Sequence, residues 1–165
     1  IFGLGNIGLE IARRAEAFDM QVFYHNRRQR KDMPYTYAET LPDLARQVDF
    51  LIIAAPGGDE THHMVNRSIM DALGPEGVLV NVGRGSIVDT PALVSALCDG
   101  TLGAAALDVL EGEPVVPASL LALPNLLLTP HMASMTKDAL RYAFDRAADN
   151  MEAHFAGERV LSPAI

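Results

Sequence analysis

Four polar side chains that could bind an anion or transfer a proton lie in three short stretches bounded by glycine or proline. Arg84 lies in VNVGRGSIVD, Asp108 and Glu113 lie in AAALDVLEGEP, and His131 lies in LLLTPHMAS. Each stretch follows an apolar run that is typical of a buried strand. Because ligands of open α/β sheets bind outside the carboxyl ends of the strands, we expect these side chains to converge on one crevice. Taken singly, each of them is more often structural than catalytic.

A glycine-rich turn stands at the start of the chain, where Gly3-Leu4-Gly5-Asn6-Ile7-Gly8 reads GxGxxG. The pattern alone is weak, because glycines occur in turns of every kind. Here it lies between the stub of an apolar strand and an amphipathic helix, so that free amides at the helix N-terminus could bind a pyrophosphate. The context favours a dinucleotide site over a plain strand-to-helix turn.

The end of the second predicted strand indicates which dinucleotide is bound. An acid that would hold the ribose 2′-hydroxyl of NAD is expected there, yet Asn26, Arg27 and Arg28 stand in its place. A carboxylate would repel a 2′-phosphate, whereas a guanidinium can pair with it bidentately. The cations therefore predict NADP, with NAD as the alternative cofactor. A solvated basic turn is the other interpretation, and we expect it to hold for Arg30 and Lys31.

The elements that must position these residues alternate between apolar runs and helical stretches. The alternation predicts a doubly wound α/β fold with a parallel sheet, a Rossmann-type dinucleotide-binding domain over residues 1–135, followed by a helix and tail over residues 136–165. The candidate strands cover residues 1–2, 21–25, 50–54, 78–82, 104–109 and 126–129. The candidate helices cover residues 7–18, 41–46, 65–73, 91–98 and 137–155.

Composition excludes several classes of partner. The chain has 165 residues with 21 Asp and Glu against 13 Lys and Arg, a net charge of −8 that works against binding nucleic acid or an anionic membrane. Its apolar runs are too short to span a bilayer. The single Cys98 excludes an internal disulfide, favours the reducing cytoplasm, and is expected to be a small buried apolar residue.

Together these motifs closely resemble the nucleotide-binding domain of the D-isomer-specific 2-hydroxyacid dehydrogenase family, over essentially the whole chain. The resemblance implies that Arg84, Glu113 and His131 form the active site. It also implies that Asp108 contacts the nicotinamide end of the cofactor and that Ala54-Ala55-Pro56 lines the cofactor cleft. A homodimer built through this domain is implied as well.

The resemblance implies reduction of a 2-keto acid by hydride transfer. Arg84 would bind the substrate carboxylate and polarise the keto oxygen, and His131 would protonate the developing alkoxide. Glu113 would orient the imidazole and favour its charged form. The expected cofactor contacts are Gly3, Leu4, Gly5, Asn6, Ile7, Gly8, Asn26, Arg27, Arg28, Ala55, Pro56, Val82, Gly83, Arg84, Asp108, His131, Ala133 and Ser134.

Details of the motifs favour one branch of the family. Gly57-Gly58 stands where many members carry a bulkier residue, a pattern similar to the glyoxylate and hydroxypyruvate reductases. His62 and His63 resemble a metal pair, but adjacent residues on an emerging helix point in different directions and no Cys or carboxylate cluster joins them. No metal site is therefore expected, and these histidines are interpreted as solvated or as contacts to a partner.

Alternatives to this function remain open. A dinucleotide-sensing, co-repressor-like binding module could use the same fold. Within the family, a formate dehydrogenase is disfavoured by Glu113, and a phosphoglycerate dehydrogenase is possible. Because the chain opens on IFG without Met and lacks a substrate domain, we expect it to start inside a longer protein, to end in a natural tail at Leu161–Ile165, and to be poorly active alone.

Overall fold

Phe2 joins two parallel β-sheets in the computed structural model, which describes residues 1–163. One sheet pairs β1 (Phe23–Tyr24) with β2 (Thr36–Tyr37), and Phe2 bridges His25 on one side and Ile53 on the other. The other sheet runs in the order β3-β4-β5-β6. Its strands are β3 (Phe50–Ile53), β4 (Val78–Asn81), β5 (Ala104–Leu107) and β6 (Leu126–Leu128).

The resulting order across the sheet is β2-β1-Phe2-β3-β4-β5-β6, with every pairing parallel. The chain thus starts at the central position of Phe2 and adds β1 and β2 toward one edge. It then returns to the centre at β3 and adds β4, β5 and β6 toward the other edge. This is the strand order of a doubly wound nucleotide-binding fold, and it confirms the predicted fold class.

Within the described residues, six α-helices accompany the strands: α1 (Asn6–Glu16), α2 (Leu41–Ala45), α3 (Arg67–Leu73), α4 (Thr90–Asp99), α5 (Ala118–Leu121) and α6 (Lys137–Phe155). Four of them begin at a side chain that accepts a backbone N–H of the first turn: Thr40, Asn66, Asp89 and Thr136. Such caps satisfy amides that the helix itself leaves unpaired. The five predicted helices are all present, while β2 and α5 were not predicted, because elements of two and four residues carry no readable periodicity.

The main core lies among β3, β4, β5 and the helices α2, α3 and α4, where Leu44, Leu51, Met70, Leu79 and Leu93 are fully buried. A smaller cluster of Ile1, Leu4, Ala12 and Tyr24 holds α1 beside the start of the sheet.

The expectation that Cys98 is buried is wrong. The thiol is exposed, because α4 turns Leu93, Ala96 and Leu97 into the core and the next position points away from it.

Contacts divide the chain into two units, residues 1–130 and the residues from His131 onward. In the second unit α6 follows its cap at Thr136, and no described residue of the helix is buried. Ala164 and Ile165, which end the predicted tail, lie outside the described residues. Among the residues that the structure describes, no helix combines the length and the apolar character needed to cross a membrane.

Candidate functional site

The crevice of the first unit opens where the direction of chain winding reverses, between Phe2 and β3. Phe2 donates its amide to Ile52 O at 2.8 Å and accepts from Ala54 N at 2.8 Å. The two strand positions then separate, one continuing into the glycine turn and the other into the segment from Ala54 onward. A doubly wound sheet places its ligand at this point of divergence.

The glycine turn is shaped by a close approach of backbone to backbone. Gly3 donates to His25 O at 3.0 Å and has φ +98, and a Cβ there would lie 2.4 Å from Ala55 N. No side chain fits, so the turn can pass directly over the end of β3. The helix α1 begins at Asn6 without a side-chain cap and without an acid in its first turn, which leaves its N-terminal amides available to an anion.

Asn26 and Arg30 hold this turn from the second strand. Asn26 Oδ1 accepts the amide of Leu4 at 2.6 Å, and Arg30 Nη1 donates to Leu4 O at 3.3 Å. Arg30 also donates to Asp32 at 2.7 Å, and this hydrogen bond holds the pKa of the Asp32 carboxyl below its ordinary value. The interpretation of Arg30 as a solvated cation is therefore wrong: it supports the turn, whereas Lys31 is exposed as expected.

Arg27 and Arg28 line a cavity of about 650 Å³. Gly3, Leu4, Gly5, Asn26, Ala54, Ala55, Pro56 and Glu60 share its wall. Arg27 Nη1 donates to Glu60 Oε2 at 2.9 Å, with 80% and 77% of the two side chains exposed. The guanidinium is thus held at the mouth of the cavity by an ion pair that water screens.

A second cavity of about 700 Å³ extends the crevice toward β4. It is lined by Gly5, Asn6, Ile7, Ala54, Ala55, Pro56, Gly57, Gly58, Val82, Gly83, Arg84 and Ser86. Gly5 and the 54–56 segment line both cavities, so the two lie next to each other along the crevice. Gly8 and Asp108 are not among the described residues that line either cavity; Gly8 is buried in α1.

Arg84 owes its position to Asn81, which sequence reasoning missed. Asn81 ends β4 with its side chain fully buried; Oδ1 accepts from Gly83 N and Nδ2 donates to Arg84 O, both at 3.0 Å. Arg84 itself donates to Gly83 O at 2.8 Å, and its stem lies against Gly57. A polar residue inside the otherwise apolar run VLVNV was the signal that could have revealed this support.

The segment after β5 carries the two predicted acids. Asp108 is buried and accepts the hydroxyl of Thr129 at 2.5 Å, which ties the end of β5 to the end of β6. Glu113 accepts the amide of Leu110 at 2.7 Å through Oε1, so its carboxyl is fixed against its own loop. Both acids therefore follow β5 at the carboxyl edge of the sheet, but neither is among the described residues that line the two cavities, and their convergence with Arg84 stays a prediction.

His131, Ala133 and Ser134 belong to the second unit, which begins at His131. His131 has φ +51, a backbone conformation that few residues other than glycine adopt. Its pairing with Glu113 and its approach to Arg84 stay predictions.

His62 and His63 do not point in different directions, contrary to expectation. His63 has φ +50, so the pair does not continue the single 3₁₀ turn at Asp59–Thr61, and the two rings stack with centroids 3.9 Å apart. A carboxylate also joins them: Glu111 Oε1 lies 3.4 Å from His62 Nε2, and Glu111 Oε2 lies 3.0 Å from His63 Nε2. Spacing in sequence could not reveal this contact, because it depends on one residue leaving helical geometry.

Comparison with known proteins places these observations in a family. Residues 1–133 match the family described as D-isomer specific 2-hydroxyacid dehydrogenase, NAD binding domain. The chain is 48% identical over all 165 residues to hydroxyphenylpyruvate reductase of Plectranthus scutellarioides. It is 47% identical over the same length to glyoxylate/hydroxypyruvate reductase A of Arabidopsis thaliana. In each case it covers 53% of the relative, so it spans about half the length of these proteins.

Among solved structures, the chain is similar to the NADPH-dependent glyoxylate/hydroxypyruvate reductase of Sinorhizobium meliloti in complex with NADP and malonate. The TM-score is 0.95 at 48% identity, covering 99% of this chain and 51% of that one. The fold is therefore that of the matching half of this solved structure.

Proposed function

Since the chain belongs to the D-isomer specific 2-hydroxyacid dehydrogenase family, we propose that it is the nucleotide-binding part of an NADPH-preferring reductase of small 2-keto acids, of the glyoxylate or hydroxypyruvate kind. One observation carries the proposal: the crevice has two arginines and no carboxylate at the end of β1, and an adjoining cavity that shares Gly5 and the 54–56 segment with it reaches Arg84.

The crevice suits a dinucleotide in shape and in charge. An added Cβ at Gly5 would meet nothing within 4 Å, so a pyrophosphate can approach the backbone there, beside the free amides of α1. Arg27 and Arg28 would pair with a 2′-phosphate at the other end. Bound there, NADPH supplies the hydride that reduces the keto carbon.

The chain's own residues would position the substrate and move the proton. Arg84 pairs with the substrate carboxylate and polarises the keto oxygen, held in place by Asn81 and Gly83. His131 donates the proton that the developing alkoxide needs, a role in which histidine serves more often than any other side chain. Glu113, anchored on Leu110 N, would accept from the other ring nitrogen and orient the imidazole.

Steady-state kinetics of the full-length protein tests the reaction. Glyoxylate, hydroxypyruvate and pyruvate are each assayed with NADPH and with NADH. We expect the highest kcat/KM for NADPH with one of the first two acids. Equal rates with NADH would contradict the cofactor assignment, and no turnover of any 2-keto acid would contradict the reaction.

The role of His131 is tested by replacement with Ala, which should lower kcat by about 10²–10⁴-fold, the usual contribution of general acid catalysis. His154→Ala is the matched control, because it removes a histidine from α6 of the same unit. A loss of only a few-fold in His131→Ala would show that another group donates the proton.

The proposal extends to the domain bounds, the cellular location and the oligomeric state of the protein. Residues 1–135 form the nucleotide-binding domain and residues 136–165 its helix and tail, in a cytoplasmic enzyme that works as a homodimer. Leu140, Phe144, Met151 and Phe155 follow one face of α6 and are 43–85% exposed, which supports burial against a second copy. Light scattering of the full-length protein should give twice the mass of one chain. The isolated 165 residues should reduce 2-keto acids only poorly.

A further inference from the structure

Two imidazoles and a carboxylate meet outside the cofactor crevice, on loops that follow different strands. His62 and His63 come from the segment after β3, and Glu111 comes from the segment after β5. Their ligand atoms all lie within 4.8 Å of one another. About a third of the His63 and Glu111 side chains and 54% of the His62 side chain are exposed, so solutes in water can reach the group.

The turn after β4 connects the two loops at this point. His63 donates its amide to Ser86 O at 2.9 Å, and the Thr61 hydroxyl braces the same loop by donating to Pro56 O at 2.9 Å. Gly85, next to Ser86, packs so closely against the loop after β5 that a Cβ would lie 1.9 Å from the carbonyl carbon of Leu110, one residue before Glu111. The cluster is thus held by main-chain packing and does not depend on the side chains alone.

From this geometry we propose that His62, His63 and Glu111 form a binding site for a divalent transition metal ion, with Zn²⁺ as the best match. Two imidazole nitrogens and one carboxylate oxygen are a ligand set that zinc accepts, with a fourth position left for water. Bonds of about 2 Å to a tetrahedral ion place ligand atoms about 3.3 Å apart. The 3.0 and 3.4 Å separations of the two ring nitrogens from the carboxylate already have this spacing.

The charge of the group also suits a dication. With neutral imidazoles the cluster carries one negative charge, and metal binding requires that the Nε2 atoms face the ion unprotonated. Oxygen-seeking ions such as Mg²⁺ would find only one carboxylate here and should bind poorly. The bound ion would fasten the segment after β3 to the segment after β5.

Titration of the full-length protein with Zn²⁺ alone, in competition with a chromophoric chelator, tests this site. We expect one Zn²⁺ per chain, and Co²⁺ in its place should give the strong visible absorption of four-coordinate geometry. His62→Ala and Glu111→Gln should each weaken Zn²⁺ binding at least about tenfold, since even groups that only support a ligand cost 10–100-fold. His154→Ala, an exposed histidine elsewhere, should leave the affinity unchanged.

His62→Ala is the decisive variant, because it leaves the His63–Glu111 contact in place. Unchanged thermal unfolding and NADPH affinity in that variant, together with weaker Zn²⁺ binding, would support a ligand role. The proposal is overturned if Zn²⁺ does not bind, if binding is equally strong in His62→Ala and Glu111→Gln, or if only His131→Ala abolishes it. None of these outcomes depends on whether the protein reduces 2-keto acids.

Discussion

The ion pair between Arg27 and Glu60 gives the cofactor preference a measurable test. A 2′-phosphate must draw the Arg27 guanidinium away from the Glu60 carboxylate, 2.9 Å distant. Because 80% and 77% of the two side chains are exposed, the pair stabilises by at most about 1 kcal/mol. Glu60→Gln should therefore tighten NADPH binding by up to about fivefold.

Removing the cation should have the opposite and larger effect. A hydrogen bond to a charged group contributes about 1.5–3 kcal/mol, so Arg27→Ala should weaken NADPH binding roughly tenfold to a hundredfold. The exposure of Arg27 favours the lower end of this range. NADH has no 2′-phosphate, so its affinity should not change in either variant.

Fluorescence titration of the full-length protein with NADPH and NADH, at low and high salt, measures these affinities. The gain in Glu60→Gln should shrink as salt rises, because the pair is already screened. Lys31→Ala is the matched control, since it removes an exposed cation of the same turn. The reasoning is refuted if Arg27→Ala and Arg28→Ala leave NADPH affinity intact, or weaken NADPH and NADH binding equally.

Two further substitutions test the supports of the crevice. Asn26→Asp keeps the acceptor for Leu4 N but brings a carboxylate to the 2′-phosphate. NADPH affinity should therefore fall at least about tenfold, while NADH affinity should be unchanged. An equal loss of affinity for both cofactors would instead indicate a damaged glycine turn. Asn81→Ala leaves the buried amide of Gly83 without its acceptor and removes one donor from Arg84 O, which still accepts from Ile87 N at 3.2 Å. It should cost about 1–3 kcal/mol in denaturant unfolding and raise KM for the keto acid; an unchanged KM would show that Arg84 needs no such support.

The fold was predictable because its signals are local and repeated. Each buried strand appears in the sequence as an apolar run, and each long helix has its own period, so β3 to β6 and α1 to α4 were all anticipated. The strand bounds shifted by one or two residues at their carboxyl ends, because apolar residues such as Ala54 and Val82 continue the run past the last paired residue. Thr36–Tyr37 was missed because an edge strand of two residues forms only through its partner.

The candidate site was predictable only as far as motifs mark it. Gly3, Arg27 and Arg84 line the crevice where their positions after strands suggested. Arg30 was misjudged because its partner, the carbonyl of Leu4, is 26 residues away in sequence. Such contacts depend on tertiary packing, and no residue type or spacing encodes them.

The segment from Ala54 to Met64 explains why so many contacts meet at this edge of the sheet. It leaves β3 at the point where the order of strand addition reverses. It must therefore pass the glycine turn on one side and the turn after β4 on the other. Glu60 pairs with Arg27, while His62 and His63, two and three residues later, reach Glu111. A phosphate that draws Arg27 from Glu60 and a metal that fixes His63 therefore act on the same few residues. This short stretch of backbone could couple the two ligands, and any change that one causes in the affinity of the other must be reciprocal, as thermodynamic linkage requires.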